Sequence, residues 1–295
     1  MNARAPKAVR TRRGAAIRFT RALLAHRSGA VGTALVAVVV VGALLAPVWS
    51  PYDPYKIDMD VALEPPGLAH PLGTDPFGRD VATRVLYGAR FSLEVSVLSR
   101  LIAIALGTAL GLIAGYFGGR AESTIMRLAD VTLAYPGLLL LIAVMAAVGP
   151  SKVALFIALG FVGWAGVARL VRAQVLSLKE REFILAVRSL GARDARVVVR
   201  HLLPNVMTQL IVVFSMGLGT AIMAESSLSF LGLGAQPPAA SWGSMISAGL
   251  DYLRVAPWLC VVPGVVITMT ILGFNLMGDA LRDVLDPKLS GSGRR

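Results

Sequence analysis

Six long apolar windows alternate with polar or charged stretches along this chain. An α-helix rises about 1.5 Å per residue, so about 20 apolar residues are needed to cross a hydrocarbon core of about 30 Å. The windows therefore predict six membrane-spanning helices, at 29–49, 101–119, 131–151, 153–168, 201–224 and 255–278. The fourth window is short, so its helix must continue over Arg169, whose long side chain can extend to the interface.

The windows are apolar on every side, whereas the strands of a membrane β-barrel alternate apolar and polar residues in runs of about ten. The composition agrees with helices in a membrane. Of the 295 residues, 56% are hydrophobic and the mean hydropathy is +0.69, which exceeds the usual values for a soluble domain. We predict an all-α integral membrane protein with six transmembrane helices.

The chain has a net charge of +12. The positions of its lysine and arginine residues indicate how the chain is oriented in the membrane. Lysine and arginine favour the cytoplasmic side of a membrane, so the basic leader predicts a cytoplasmic N-terminus, and six crossings return the C-terminus to the same side. The basic residues flank several membrane windows without interleaved aromatic residues, which argues against nucleic acid as a partner. Those of the leader are Arg4, Lys7, Arg10, Arg12, Arg13, Arg18, Arg21 and Arg27. Residues 12–27 are weakly amphipathic and are expected on the anionic inner leaflet.

The two long connections on the outside are rich in proline, which predicts extended, turn-rich loops. The second also contains Trp242 and Trp258, whose side chains suit the membrane interface. Loops of this kind either return the chain to the membrane or receive an extracytoplasmic partner.

Four glycines recur at every fourth position in the second window. They are Gly107, Gly111, Gly115 and Gly119. This spacing places them on one face of a helix, where the absence of side chains lets a neighbouring backbone approach closely. We favour helix packing within the chain over a subunit interface.

The sequence contains no recognisable catalytic machinery. It has no phosphate-binding loop, no nucleophile elbow and no His-Glu-x-x-His zinc motif, and its three histidines lack the spacing of metal ligands. No catalytic residue, metal or cofactor is therefore assigned to this chain.

Charged residues near the windows are candidate ion-coupling sites. Arg100, Asp130, Arg169 and Glu225 each fall near an end of an apolar window, and no internal repeat is found, so a secondary transporter is not favoured. Glu225 is the most interior carboxylate and is followed by Ser226 and Ser229. For this polar group we favour structural pairing inside the bundle over a place on a solute pathway.

The most unusual stretch is 182–205, which is helix-prone but too polar for lipid and lies between two apolar windows. A helical segment at 182–190, a turn at Gly191 and a second helical segment at 192–201 are predicted before Pro204 enters the fifth window. Two helical pieces joined at a glycine form a rigid protrusion on the cytoplasmic side.

These residues carry a resemblance to a known family. The spacing of Ala186, Gly191 and the pair Leu203-Pro204 resembles the coupling loop of permease subunits in binding-protein-dependent ATP-binding-cassette (ABC) importers. Further strings are similar to the second permease of dipeptide and oligopeptide importers. They are HPLGTDPFGRDVATRVLYGARFSL at 70–93, AGYFGG at 114–119, ESSLSFLGLG at 225–234, SWGSM at 241–245, APW at 256–258 and FNLMGDALRDVLDPKL at 274–289.

The resemblance implies a type I ABC importer permease in a bacterial plasma (inner) membrane, which imports short peptides and forms half of the pathway. It also implies four segments: a cytoplasmic leader at 1–28, a first helix with its extracytoplasmic loop at 29–90, a five-helix core at 91–284 containing a coupling loop at 173–204, and a cytoplasmic tail at 285–295. The coupling residues implied are Glu182, Leu185, Ala186, Val187, Arg188, Gly191, Arg193, Leu203 and Pro204. Leu185 stands where the family has a glutamate and Val187 where it has an alanine, so docking by apolar packing is expected.

The implied partners are a homologous second permease, one or two cytoplasmic ABC ATPases that bind ATP and Mg²⁺, an extracytoplasmic binding protein, a peptide and membrane lipid. ATP hydrolysis is thus expected on other chains. An importer of nickel or another small solute is the first alternative, because the same branch includes such systems. A self-contained secondary transporter and a membrane enzyme are the others, and the latter lacks clustered catalytic groups.

Overall fold

The computed structural model describes residues 20–285, which form a bundle of helices. Most of the predicted leader and nearly all of the predicted tail lie outside the described residues. Two single-turn 3₁₀ segments, Met59–Val61 and Leu250–Tyr252, lie in the connections. A π-helical segment, Val198–Leu202, joins the α-helices Asp194–Val197 and Leu203–Phe230. The α-helices are α1 Arg27–Trp49, α2 Val81–Phe117, α3 Gly119–Ala134, α4 Gly137–Val148, α5 Lys152–Lys179, α6 Glu182–Ser189, α7 Asp194–Val197, α8 Leu203–Phe230, α9 Trp242–Gly249 and α10 Trp258–Leu285.

Within residues 20–285, five helices are long and apolar enough to cross a membrane: α1, α2, α5, the continuous Asp194–Phe230 helix and α10. A sixth crossing exists if α3 and α4 count as one span, and these two helices meet at an angle of 94°. The third predicted helix is therefore broken. Pro136 causes the break, because a proline excludes the helical conformation of the residue before it, and Tyr135 is extended, with φ −93° and ψ 141°.

Helix α2 begins 20 residues before its predicted window. Its start is fixed by Asp80, whose carboxylate accepts a hydrogen bond of 2.7 Å from the Thr83 backbone N–H and so caps the helix. Its end is fixed by Gly118, whose φ of 67° and ψ of −155° form a backbone conformation that is essentially restricted to glycine. Gly119 consequently lies outside α2, and its predicted place on the glycine face of that helix is wrong.

The other three glycines of that face form a seam between α2 and α5. A Cβ atom added to Gly107, Gly111 or Gly115 would lie 2.6 or 2.7 Å from the Cβ of a valine in α5. The valines are Val167, Val171 and Val175, in the same order. The two helices thus approach as closely as bare backbone permits, and this packing is internal to the chain.

The 50–80 loop and α9 pack together at the end of the bundle where α2 begins. Trp242 at the start of α9 is fully buried, and its indole N–H donates to the Val85 carbonyl at 3.0 Å. The side chain is buried there because Gly88 leaves room for the indole against α2. Asp75 of the loop pairs with Arg79 of the loop and with Arg84 of α2, so the loop is folded onto the start of that helix.

The glycine seam can be tested by adding one methyl group. Gly111→Ala should lower the free energy of unfolding by about 1–3 kcal/mol, because the new Cβ would overlap Ala168 and Val171. Gly166→Ala in α5 is the matched control, since an added Cβ there meets no atom within 4 Å. The measurement is the unfolding midpoint of each purified variant in detergent micelles. Equal midpoints for the two variants would contradict the close packing of α2 on α5.

Candidate coupling site and buried polar cluster

The connector, defined here as residues 182–202, contains a helix, a tight turn and a second helix. Helix α6 ends at Ser189, and Gly191, two residues later, has φ +78°. The Gly191 N–H donates to the Arg188 carbonyl at 2.9 Å and the Ala192 N–H donates to the Val187 carbonyl at 3.3 Å. These two hydrogen bonds form a Schellman motif, which fixes the direction of the chain after a helix. The second piece differs from the predicted helix, because only Asp194–Val197 is α-helical before the π-helical segment begins.

The connector is attached to the bundle by apolar side chains. Ile184 of α6, Val197 of α7 and Leu202 of the π segment are fully buried and belong to one core cluster. The same cluster contains Val171 and Val175, the seam valines of α5. A displacement of α6 must therefore move the seam or separate well-packed surfaces.

Tyr116, near the end of α2, adds a polar attachment. Its hydroxyl donates to the Asp194 carboxylate at 2.6 Å, and the Arg188 guanidinium carbon lies 5.9 Å from its ring centroid. Asp194 follows the Gly191 turn and Arg188 precedes it. The tyrosine thus contacts both sides of the turn and holds it against α2.

The outer surface of the connector is apolar and basic. Leu185 and Ala186 are exposed, but Val187 packs against the core cluster. The expectation that Val187 contributes to an outward apolar surface is wrong, because its position in α6 faces the bundle. Of the other predicted coupling residues, Leu203 is partly buried, and the exposed ones are Glu182, Arg188, Gly191, Arg193 and Pro204.

Two exposed apolar side chains, one in α6 and one directly after it, were not among the predicted coupling residues. Phe183 is 42% exposed and Leu190 is 87% exposed. With Ala186 they occupy positions i, i+3 and i+7, which share one face of a helix. The same periodicity is visible in the sequence and could have identified them.

A second group of functional candidates surrounds Glu225. This carboxylate in α8 is fully buried and accepts hydrogen bonds from Ser92 at 2.6 Å, Ser229 at 2.7 Å and Ser226 at 3.4 Å. The Ser229 hydroxyl also accepts from the Ala235 N–H at 3.2 Å. The cluster therefore joins α2, α8 and the loop that follows α8. Ser92 lies 133 residues before Glu225, so local sequence patterns could not indicate this contact.

The sequence also matches known protein families over most of its length. Residues 107–291 match the family described as the inner membrane component of binding-protein-dependent transport systems. Residues 17–66 match the N-terminal transmembrane domain of oligopeptide transport permease C. The chain belongs to the binding-protein-dependent transport permeases. A permease of this family is a membrane subunit and is not itself an ATPase.

Several curated proteins resemble this permease along nearly their whole length. The dipeptide transport permease DppC of Alkalihalophilus pseudofirmus is 42% identical over 88% of this chain and 85% of its own. The oligopeptide transport permease OppC of Bacillus subtilis is 40% identical over the same shares. The glutathione transport permease GsiD of Pectobacterium atrosepticum is 42% identical over 92% of this chain and 89% of its own.

The hydrogen bond from Ser92 to Glu225 can be tested by its contribution to the stability of the permease. Ser92→Ala should lower the free energy of unfolding by about 1–3 kcal/mol, because it removes a donor from a buried carboxylate. Ser227→Ala is the control, since that hydroxyl bonds only within its own helix, to the Met223 carbonyl, and should change stability by less than about 0.5 kcal/mol. Denaturant titration of both variants measures the difference. If the Ser92→Ala variant were as stable as Ser227→Ala, the hydrogen bond from Ser92 to Glu225 would not contribute to stability.

Proposed function

We propose that this permease is the second membrane subunit of an ATP-driven importer of short peptides. The observation that carries the proposal is the near full-length similarity to permeases named for dipeptides, oligopeptides and glutathione. Glutathione is itself a short peptide, so the three names share one solute class. The solute is therefore a short peptide, and this chain forms half of its pathway through a bacterial plasma (inner) membrane.

The proposed orientation places the connector and both termini in the cytoplasm. Basic residues are concentrated near the connector, whereas the 50–80 loop balances its bases with six carboxylates. Such an asymmetry favours the basic end inside. The bases near the connector are Arg169, Arg172, Lys179, Arg181, Arg188, Arg193, Arg196 and Arg200.

Coupling to ATP hydrolysis is proposed to occur through the connector. The face formed by Phe183, Ala186 and Leu190 offers exposed apolar area to a cleft of a cytoplasmic ATPase, and Leu185 adds to it from the side. Arg188 and Arg193 supply positive charge for acidic groups around that cleft. Burial of apolar surface is not directional. The Schellman turn and the Tyr116 contact therefore fix the orientation of the connector.

Movement of the ATPases then reaches the pathway through packed side chains. Ile184 and Val197 transmit a displacement of the connector to α5 through the core cluster, and the glycine seam passes it to α2. A ligand-driven change of this kind requires a difference in binding energy between two states, and the ATP and Mg²⁺ held by the ATPases supply it. The remaining partners are a homologous second permease in a heterodimer, an extracytoplasmic binding protein at the end closed by the 50–80 loop, and membrane lipid.

The solute class is tested with the complete importer in proteoliposomes. The permease, its second permease, the ATPases and the binding protein should accumulate a radiolabelled dipeptide when ATP is present, and leaving out the binding protein should stop uptake. Accumulation of nickel without that of peptides would favour the alternative importer. Uptake by the isolated chain under an ion gradient would instead identify a secondary transporter.

The role of the turn is tested at Gly191. Gly191→Val should abolish peptide uptake while the second permease and the ATPases still co-purify, because a β-branched residue at φ +78° is strained. Gly191→Asn is the control at the same position, since asparagine tolerates the left-handed conformation, and it should retain uptake. Normal uptake by the valine variant would show that the turn has no part in coupling.

A further inference from the structure

Arg100 lies near the middle of α2, at the junction of three candidate membrane spans. Its Nη2 donates to the Val213 carbonyl of α8 at 3.0 Å. The guanidinium lies flat on α8, because a Cβ added to Gly217 would be 2.2 Å from its central carbon. Gly163 of α5 faces it from the third helix, with its added Cβ 3.7 Å from Nη1. The guanidinium is therefore held against α8 and faces α5.

The charge of Arg100 has no partner within residues 20–285. Three other arginines of the long helices pair with carboxylates: Arg84 with Asp75, Arg169 with Asp130 and Arg172 with Glu122. Arg100 forms no such pair among the described residues, and its Nε is buried without a hydrogen-bond acceptor. An arginine inside a membrane is costly unless an anion or an aqueous cavity compensates it. An anion from outside the described residues, or water in a cavity, would compensate this charge.

Arg100 also lines a cavity of about 390 Å³ between α2, α4, α5 and α8. Small-ligand sites commonly measure about 300–1,000 Å³. The apolar wall includes Leu138, Leu141 and Met223, which suit the side chains of a small apolar or mixed ligand.

The polar wall of this cavity consists of three hydroxyl groups besides Arg100. Ser99, Thr220 and Ser227 each donate their proton to a carbonyl of their own helix. Their oxygens therefore remain able to accept a hydrogen bond from an N–H group. The cavity thus offers a cationic donor and several neutral acceptors, which is the complement of a molecule with one carboxylate and several N–H groups.

We propose that Arg100 binds the carboxylate of a peptide as it crosses the membrane, with the N–H groups of the peptide directed to the hydroxyls. This inference rests on the proposed function, because a short peptide with free ends has that combination of groups. The guanidinium fork can bind a carboxylate through two parallel hydrogen bonds. The alternative anion is a carboxylate side chain of the second permease. Such a side chain needs only a narrow gap beside Arg100, whereas the open cavity with several acceptors favours a peptide.

Photocrosslinking tests the proposal without relying on the selectivity of the binding protein. The complete importer is trapped with vanadate in the presence of a dipeptide that contains p-benzoylphenylalanine, and mass spectrometry locates the adduct. We expect the adduct on Met223 or Leu138. Its yield should fall about tenfold or more in Arg100→Met, which removes a charged hydrogen bond, and should be partly retained in Arg100→Lys. Unlabelled dipeptide should compete, whereas its C-terminal amide should not.

Arg127→Met is the control for loss of one positive charge, because Arg127 is exposed on α3, and it should leave the yield unchanged. An unchanged yield in Arg100→Met, an adduct elsewhere or equal competition by the amide would overturn the proposal. Loss of the second permease from the Arg100→Met complex would assign the carboxylate to that subunit instead. Dipeptide uptake by the unmodified importer, measured in parallel, separates these results from failure of the proposed function, since an importer that takes up no peptide overturns both.

Discussion

The close approach of α2 and α5 is the contact on which the rest of the molecule depends. Three glycines of α2 lie against three valines of α5, and no larger side chain fits between the two backbones. Lipid tails are as apolar as leucine, so helices in a membrane associate through close packing rather than through the hydrophobic effect. The glycine seam supplies that packing between residues 107–115 of α2 and 167–175 of α5. The connector is then attached to the valines at one end of the seam through Ile184 and Val197.

Much of this architecture follows from the sequence because its signals are local. Apolar windows indicate spanning helices, and Gly191 indicates a turn, since both depend on neighbouring residues. The sequence does not indicate features that a distant contact or a single breaking residue decides. Pro136 divides the third window into two helices. Trp242 is buried because Gly88, 154 positions earlier, leaves space for it, and such a pairing has no sequence period.

The candidate sites show the same division. The outward residues of the connector could be derived from helical periodicity, as Phe183, Ala186 and Leu190 illustrate. The hydroxyl of Ser92 could not be assigned to Glu225, because the two residues belong to helices far apart in the sequence. Arg100 shows a related effect. It falls at the edge of an apolar window in the sequence, but the Asp80 cap extends α2 so far that the arginine lies near the middle of the helix.

The first helix differs physically from the remaining spans. Among the five candidate spans within residues 20–285, α1 has the smallest share of its window buried. At Gly29 and Gly32 it packs closely against Ala280 and Met277 of α10. A helix packed mainly along one partner can be added to a bundle without altering the contacts of the seam or the connector. The separate family match of residues 17–66 agrees with this view. The α2–α5 seam, the connector and the Arg100 cavity all lie outside α1. The elements proposed to contact the ATPases and to bind the peptide therefore belong to the part of the chain that follows α1.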